Sequence, residues 1–169
     1  MVEDPSSAGK PASESESLLV SWMGIGDANA GGFVHGGVVM RLCDEAAGLA
    51  AIRHCGGRAV TAAMDRMTFT SPIHIGELVN CRAKVNAAWN TSMEVGVRVE
   101  AENPVTADVR HTSTAYLTMV ALDEDGRPTA VPALLSESED EVRRQREAEV
   151  RRSNRLAERD QILGHRERG

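Results

Sequence analysis

The stretch DANAGGFVHGGVVMRLCDEAAGLAAIRH, residues 27–54, decides the fold. From Gly36 to about His54 it carries Val38, Val39, Met40, Leu42, Cys43, Ala46, Ala47, Leu49, Ala50 and Ile52, with little polar surface between them. A helix that is apolar almost all round is a buried helix. Gly56-Gly57 gives it a C-terminal stop. The part before the helix is polar and glycine-rich. Gly31, Gly32, Gly36 and Gly37 permit a tight path and a close approach of backbone to a ligand. Gly36 and Gly37 open the helix, so their N–H groups and the positive dipole end face an anion or a carbonyl oxygen. Further along the helix stands Asp44, on a stripe with Gly37, Met40, Ala47 and Ala51. A carboxylate there is costly unless it is paired or used. Oxyanion donors followed by a carboxylate are the parts needed for attack on a carbonyl.

The rest of the chain supplies strands around this helix. Leu18–Met23 reads as a first strand. After the helix, Ala59–Thr70 is rich in β-formers and is closed by Ser71-Pro72. Leu78–Ala87 alternates, with Val79, Cys81, Ala83, Val85 and Ala87 on one face and Asn80, Arg82, Lys84 and Asn86 on the other. Met93, Val95, Val97 and Val99 alternate with Glu94, Arg98 and Glu100, and His111–Leu122 forms the last strand before the turn at Asp123–Gly126. One strand, a long buried helix and four consecutive strands predict an α+β domain in which a curved antiparallel sheet wraps the helix.

Around that domain, residues 15–135, lie two segments of different composition. Residues 1–14 are rich in Ser, Glu, Pro and Ala and read as a disordered tail. Residues 136–169 read as a charged, solvated C-terminal helix and tail, able to lie on a neighbouring subunit. Glu139→Arg143, Asp140→Arg144 and Glu147→Arg151 are its i,i+4 pairs.

Composition narrows the function. Twenty-five acidic against nineteen basic residues give a net charge of −6, which disfavours nonspecific nucleic-acid binding. No apolar run is long enough to cross a bilayer, and the N-terminus lacks the pattern of a secretory signal. Cys43, Cys55 and Cys81 have no metal-ligand spacing and read as reduced thiols of a cytosolic protein. The glycines do not follow the dinucleotide-binding pattern. No metal or redox cofactor is expected.

Asp27-Ala-Asn29, Gly32, His35-Gly-Gly37, Asp44-Glu45, Arg53-His-Cys55, Val60-Thr61, Asp65, Phe69, Pro72, Gly76-Glu77, Thr91-Ser92-Met93, Ala121-Leu-Asp123, Gly126-Arg127 and Val131-Pro132 occur in one order along residues 17–133. As a set they resemble the hotdog-fold acyl-CoA thioesterases, in the branch of the bacterial short- and medium-chain enzymes and the brain-type cytosolic acyl-CoA hydrolase. The resemblance implies a hotdog homodimer, commonly assembled as a trimer of dimers, acting on acyl-CoA in the cytoplasm. It implies that Asp44 and Asn29 carry the chemistry across the dimer interface. Where the family usually has Gly-Arg-Thr-Ser, this chain has Trp89-Asn90-Thr91-Ser92, so Asn90 replaces an arginine able to hold coenzyme A phosphates.

On this reading Asp44 is the general base for water or the direct nucleophile, Gly36 and Gly37 supply oxyanion donors, and Asn29 of the other subunit orients water or the thioester. Asn90, Thr91 and Ser92 are the candidate coenzyme A residues of the family motif. Arg58, Arg66, Arg82 and Lys84 are candidate phosphate partners, with Arg53 and His54 beside them. Asn29 has a plainer reading as a turn residue, His35 as a loop-ordering or phosphate-facing residue, and Cys43 as packing. Two other functions fit parts of the pattern. A hotdog enoyl-CoA hydratase would add water to crotonyl-CoA without releasing thiol. A noncatalytic acyl-CoA sensor would bind without turnover.

Overall fold

The structure is a computed structural model that describes residues 9–166, with side chains through residue 164. Strands β1 (Lys10–Pro11) and β2 (Ser17–Trp22) precede helix α1 (Gly36–Cys55). Strands β3 (Arg58–Met64), β4 (Thr68–Phe69), β5 (Leu78–Ala88), β6 (Ser92–Glu102), β7 (Val109–Leu122) and β8 (Leu134–Leu135) follow, and helix α2 (Glu139–Arg166) closes the chain. Six strands form one antiparallel sheet in the order β2-β5-β6-β7-β3, with β4 also paired to β7. This is the expected curled sheet around a long helix.

Two periodicities build the core. Val79, Cys81, Ala83 and Val85 of β5, Met93, Val95, Val97 and Val99 of β6, and Ala115, Leu117, Met119 and Ala121 of β7 point to one face of the sheet. Val39, Leu42, Cys43, Ala46, Ala47, Ala50 and Ala51 of α1 pack against that face. The small alanines let the helix sit close to a sheet of mostly Val and Ala. Each fully buried Val or Leu contributes roughly 1.5–3 kcal/mol. The helix ends as expected, on Gly56 in the left-handed conformation at φ 69°, whose N–H reaches Ile52 O at 2.9 Å.

Several expectations need correction. The helix is not buried all round within one chain, because Met40, Leu49 and Ile52 remain 42%, 44% and 46% exposed. The stretch 59–70 is two strands rather than one: pairing with β7 shifts register between Thr61 and Ala63, then breaks over residues 65–67 before β4. Residues 10–14 were expected to be disordered, but they are built into the fold. Lys10 and Pro11 pair with Leu134 and Leu135, Ala12 is buried, and a short 3-10 helix covers Ala12–Ser15. Ser15 Oγ accepts from Val85 N at 2.9 Å, beside the register shift of β5 between Val85 and Ala87. Residues 1–8 and 167–169 lie outside the described residues.

Helix α2 forms where expected but lies on the outer face of its own sheet. The pair Asp140–Arg144 is present, whereas Arg151 turns away from Glu147. Its guanidinium binds Glu94, a fully buried carboxylate of β6, at 2.7 Å, and stacks 3.7 Å from the centre of the Tyr116 ring. Asn86 Nδ2 donates to the same carboxylate at 3.2 Å. Lys84 joins Glu141 and Glu16 at 2.6 and 2.9 Å, and Trp89 Nε1 donates to Glu149 at 2.7 Å. Ordinary helix patterning carries no sign of these contacts, because the outward positions of β5 and β6 are as polar as solvated ones.

Two expected outcomes follow from this packing. Arg151→Ala leaves the Glu94 carboxylate buried without its cation. A loss of about 3–5 kcal/mol in denaturant unfolding is expected, relieved in part by adding Glu94→Gln. The second concerns His54, which is fully buried with Nε2 3.0 Å from Pro132 O and no partner for Nδ1. Burial pushes its pKa below the ordinary histidine value, against the opposing effect of the Pro132 carbonyl. The unfolded chain therefore takes up this proton more readily. The stabilisation is complete above the ordinary value of about 6.5 and is lost as pH falls towards the lower folded pKa, by at most about 1.4 kcal/mol per pH unit. Unfolding midpoints from pH 7.5 to 5 should show this slope, and His54→Gln should flatten it.

Candidate active site

The loop before α1 turns back on itself through Asn29. Asn29 Oδ1 accepts from Gly31 N at 2.8 Å and from Phe33 N at 3.3 Å, while Asn29 N donates to Phe33 O at 2.7 Å. Gly32 sits at φ 80°, a conformation glycine adopts without steric cost. The turn reading of Asn29 therefore describes its oxygen, and its amide NH2 keeps both hydrogens for a ligand. Asp27 ties the loop together: its carboxylate accepts from Gly24 N at 2.8 Å and its carbonyl from His35 N.

His35 caps the helix. Its Nδ1 accepts from Gly37 N at 2.9 Å. That contact takes the Gly37 N–H out of the expected oxyanion pair. The Gly36 N–H has no acceptor among the described residues and remains the one donor of the pair. Beside it lies a cavity of about 400 Å³ bordered by Asn29, Phe33, Val39, Phe69 and Ile73. The tip of the Phe69 ring stands 3.4 Å from where a Cβ on Gly36 would be, so any side chain at Gly36 would crowd it.

Asp44 is exposed in the single chain rather than desolvated by the small-residue stripe. It is not unpartnered. Thr61 Oγ1, on β3, donates to Asp44 Oδ1 at 2.5 Å, and the second carboxylate oxygen is left free. The role of Thr61 was missed from sequence. The available signal was a hydroxyl in the first strand after the helix, within the Val60-Thr61 piece of the ordered motif. Gly36 and Asp44 lie eight residues apart on one rigid helix, roughly 12 Å along its axis. One chain therefore does not bring its Asp44 to its own Gly36.

The candidate coenzyme A residues fall into separate groups. Arg58 begins β3, and Asn90, Thr91 and Ser92 form the β5–β6 turn, which is joined to the end of β7 by Ala121 N to Thr91 O at 3.0 Å. Both lie at the end of the sheet where α1 finishes, away from Gly36. Arg82 and Lys84 are on the outer sheet face. Lys84 is held by two carboxylates, whose hydrogen bonds outweigh burial and raise its pKa, and Arg82 lies 3.7 Å from Glu100. Arg66 projects from the β3–β4 break with a side chain 94% exposed, 3.9 Å from Glu158. Arg53 donates to Glu16 O. The Cys81 sulfur beside Cys43, together with burial, pushes the Cys43 thiol up, in keeping with a packing role. Among the described residues no group of three or more His, Cys, Asp or Glu is placed to hold a metal ion, and no helix is long and apolar enough to cross a membrane.

Comparison with known proteins follows the same lines. The family model of the thioesterase superfamily matches residues 31–107. The cytosolic acyl coenzyme A thioester hydrolase of Rattus norvegicus is 38% identical over 141 residues, 82% of this chain. The chain spans 37% of that enzyme's length. An apo-hexameric acyl-CoA thioesterase superposes with a TM-score of 0.86 at 34% identity, covering 89% of this chain and 97% of the other. The acyl-CoA hydrolase of Staphylococcus aureus, solved with butyryl coenzyme A, coenzyme A and coenzyme A disulfide, superposes with a TM-score of 0.85 at 32% identity, covering 94% and 96%. That enzyme has also been solved with an aspartate, an asparagine and a threonine each changed to alanine. The fold, the ordered motif and these similarities together place the chain in the thioesterase superfamily, among the hotdog acyl-CoA thioester hydrolases.

Proposed function

We propose that this protein hydrolyses the thioester of acyl-coenzyme A, in sites built between two copies of the chain. The observation that carries the reading is the Asp44 carboxylate, positioned by Thr61, on the same helix as the Gly36 N–H yet roughly 12 Å from it. In a homodimer the Gly36 N–H and the Asn29 amide of one protomer hold the thioester oxygen. Asp44 of its partner then takes a proton from water as water adds to the carbonyl carbon, or adds to that carbon itself. Negative charge collects on the carbonyl oxygen, where the Gly36 N–H and the helix N-terminus stabilise it. Collapse of the tetrahedral intermediate breaks the carbon–sulfur bond and releases coenzyme A thiolate, with the free acid where water has added, or with a mixed anhydride on Asp44 that water then hydrolyses to the free acid. The residue types altered in the Staphylococcus aureus hydrolase, Asp, Asn and Thr, are those of Asp44, Asn29 and Thr61.

The symmetry of such a dimer follows from the contacts it must make. If Gly36 of each protomer meets Asp44 of the other, the two helices cross antiparallel near Met40. Met40, Leu49 and Ile52 are the apolar residues that α1 leaves uncovered, and β3, with Val60 45% exposed, is the adjoining edge strand. A second copy covers all of them. Hexameric relatives favour a trimer of such dimers, with the phosphates of coenzyme A reaching Arg58, Arg66 and the Asn90–Ser92 turn. Lys84, already held by two carboxylates, is the weakest of the candidate phosphate partners.

Asp44→Asn keeps the shape of the site and removes both basicity and nucleophilicity. Thiol release from acyl-CoA should fall by about 10²-fold or more in kcat, with little change in KM. Wild-type turnover by the folded variant rejects the mechanism. If the unmodified protein binds acyl-CoA without releasing thiol it is a sensor, and if it hydrates crotonyl-CoA it is a hydratase.

The shared site has its own test. Asn29→Ala and Asp44→Ala homodimers should each be inactive. After subunit exchange, half the dimers are mixed and each contains one intact site, so about a quarter of wild-type activity should return. Demonstrated exchange with no recovery counts against sites shared between protomers.

A further inference from the structure

Helix α2 lies outside the stretch matched by the family model, yet it reaches the β3–β4 break, from which the chain runs on to line the cavity beside Gly36. Its first turns are fixed to the outer sheet face through Glu141, Glu149 and Arg151. One turn past Arg151, Arg155 Nη1 lies 2.8 Å from Asp65 Oδ2, with the two side chains 24% and 18% exposed. Asp65 opens the break between β3 and β4. Its N–H donates to Tyr116 O at 2.8 Å, and Arg151 of α2 stacks on the ring of that same tyrosine. Four residues after Asp65, Phe69 stands over Gly36, and Thr70 is anchored to Thr112 O by both its N–H and its hydroxyl, each at 2.9 Å. The segment that carries Phe69 is thus paired to β7 at Thr68–Phe69 and Thr70, and at Asp65 it is bound by both β7 and α2.

The lining of the cavity indicates which part of a substrate it takes. Phe33, Val34, Val39, Phe69, Pro72 and Ile73 are apolar. Of the polar groups, the Thr70 hydroxyl donates to Thr112 O, and Asn29 Oδ1 accepts from its own loop. Such a lining suits an alkyl chain, with the free donors of Asn29 and Gly36 at the end where the thioester oxygen sits. Phe69 is then the wall that limits how long a chain fits.

We propose that α2 sets the acyl-chain preference of this protein: the Arg155–Asp65 ion pair holds the β3–β4 break so that Phe69 closes the cavity beside Gly36. Arg155 and Asp65 are positioning residues, and Phe69 is the specificity-determining one. The inference rests on the hydrolase reading for its substrate, but not for the tether. A partly exposed ion pair contributes little to stability, so releasing it should alter geometry more than folding.

The full chain and its Arg155→Ala, Arg155→Lys, Phe69→Ala and Asp65→Arg/Arg155→Asp variants are compared by amide hydrogen exchange over residues 66–69 and by kcat/KM across butyryl- to dodecanoyl-CoA. Arg155→Ala should speed exchange of this segment by about tenfold or more while the rest of the sheet keeps its protection. The ratio of kcat/KM for dodecanoyl- over butyryl-CoA should rise by about tenfold, within the range that methylene-scale changes in a pocket produce. Phe69→Ala should raise the same ratio without touching the tether. Arg155→Lys and the charge-reversed pair should restore both readouts towards wild type. Unchanged exchange in Arg155→Ala overturns the tether. Faster exchange with an unchanged chain-length profile, or an unchanged profile in Phe69→Ala, overturns the claim on specificity. Absence of thiol release by the unmodified protein from every acyl-CoA rejects the hydrolase reading and the acyl half of this inference, while the exchange measurement still decides whether α2 holds the wall.

Discussion

A helix that one chain's sheet covers along a single face governs the rest of this protein. The sheet takes Val39, Leu42, Cys43, Ala46, Ala47, Ala50 and Ala51 out of water, and Met40, Leu49 and Ile52 remain partly exposed around the rest of the helix. The candidate acid and the free backbone donor are fixed on that same rigid rod. They sit eight residues apart and so cannot meet within a chain. In the proposed dimer, the arrival of a second helix completes the site and covers the Asp44 stripe at Met40 in the same event.

Much of this was legible in the sequence because it rests on period. The helix limits, the alternation of β5 and β6, and the last strand all follow from where apolar residues recur, and the structure matches them within a few residues. What could not be read rests on polar side chains that meet across long sequence separations. Glu94 alternates like a solvated residue, yet it is fully buried because Arg151, fifty-seven residues later, covers it. Lys10 and Ala12 look like tail residues until Arg53 O is seen to be the partner of the one and the core to cover the other. The site shows the same division. Asp44, Asn29 and Gly36 stand out as odd residues in their surroundings. Thr61 is an ordinary β-former in a strand, and His35 capping Gly37 becomes visible only once the helix start is fixed in space.

The contrast between Glu94 and Asp44 shows what each carboxylate is suited to do. Glu94 is fully buried and receives hydrogen bonds from Arg151 and Asn86, so its lone pairs are engaged and its charge is compensated. Such a group holds structure and has nothing left to offer a substrate. Among the described residues Asp44 has one hydroxyl donor, no cation partner and one oxygen without a donor. A carboxylate that is oriented but not neutralised can accept a proton or attack carbon. Its exposure belongs to the lone protomer. When a partner covers α1, the same carboxylate loses water on the side where the thioester arrives, and it becomes the more reactive for that.

The basic residues obey a similar logic. Lys84 and Arg151 are drawn into the interface between sheet and α2, where their partners are fixed. They fasten the C-terminal helix, and neither is free to follow a mobile phosphate. Arg58 and Arg66 keep exposed side chains at the two ends of β3, the edge strand beside the uncovered face of α1. An antiparallel crossing at Met40 sends the partner's substrate towards those ends rather than towards the outer sheet face. The replacement of the family's arginine by Asn90 removes one cation from the β5–β6 turn, but it leaves Arg58 at the same end of the sheet. In the proposed assembly the cations placed to serve coenzyme A are therefore those with exposed side chains along the edge strand, not those that make the sequence look most basic.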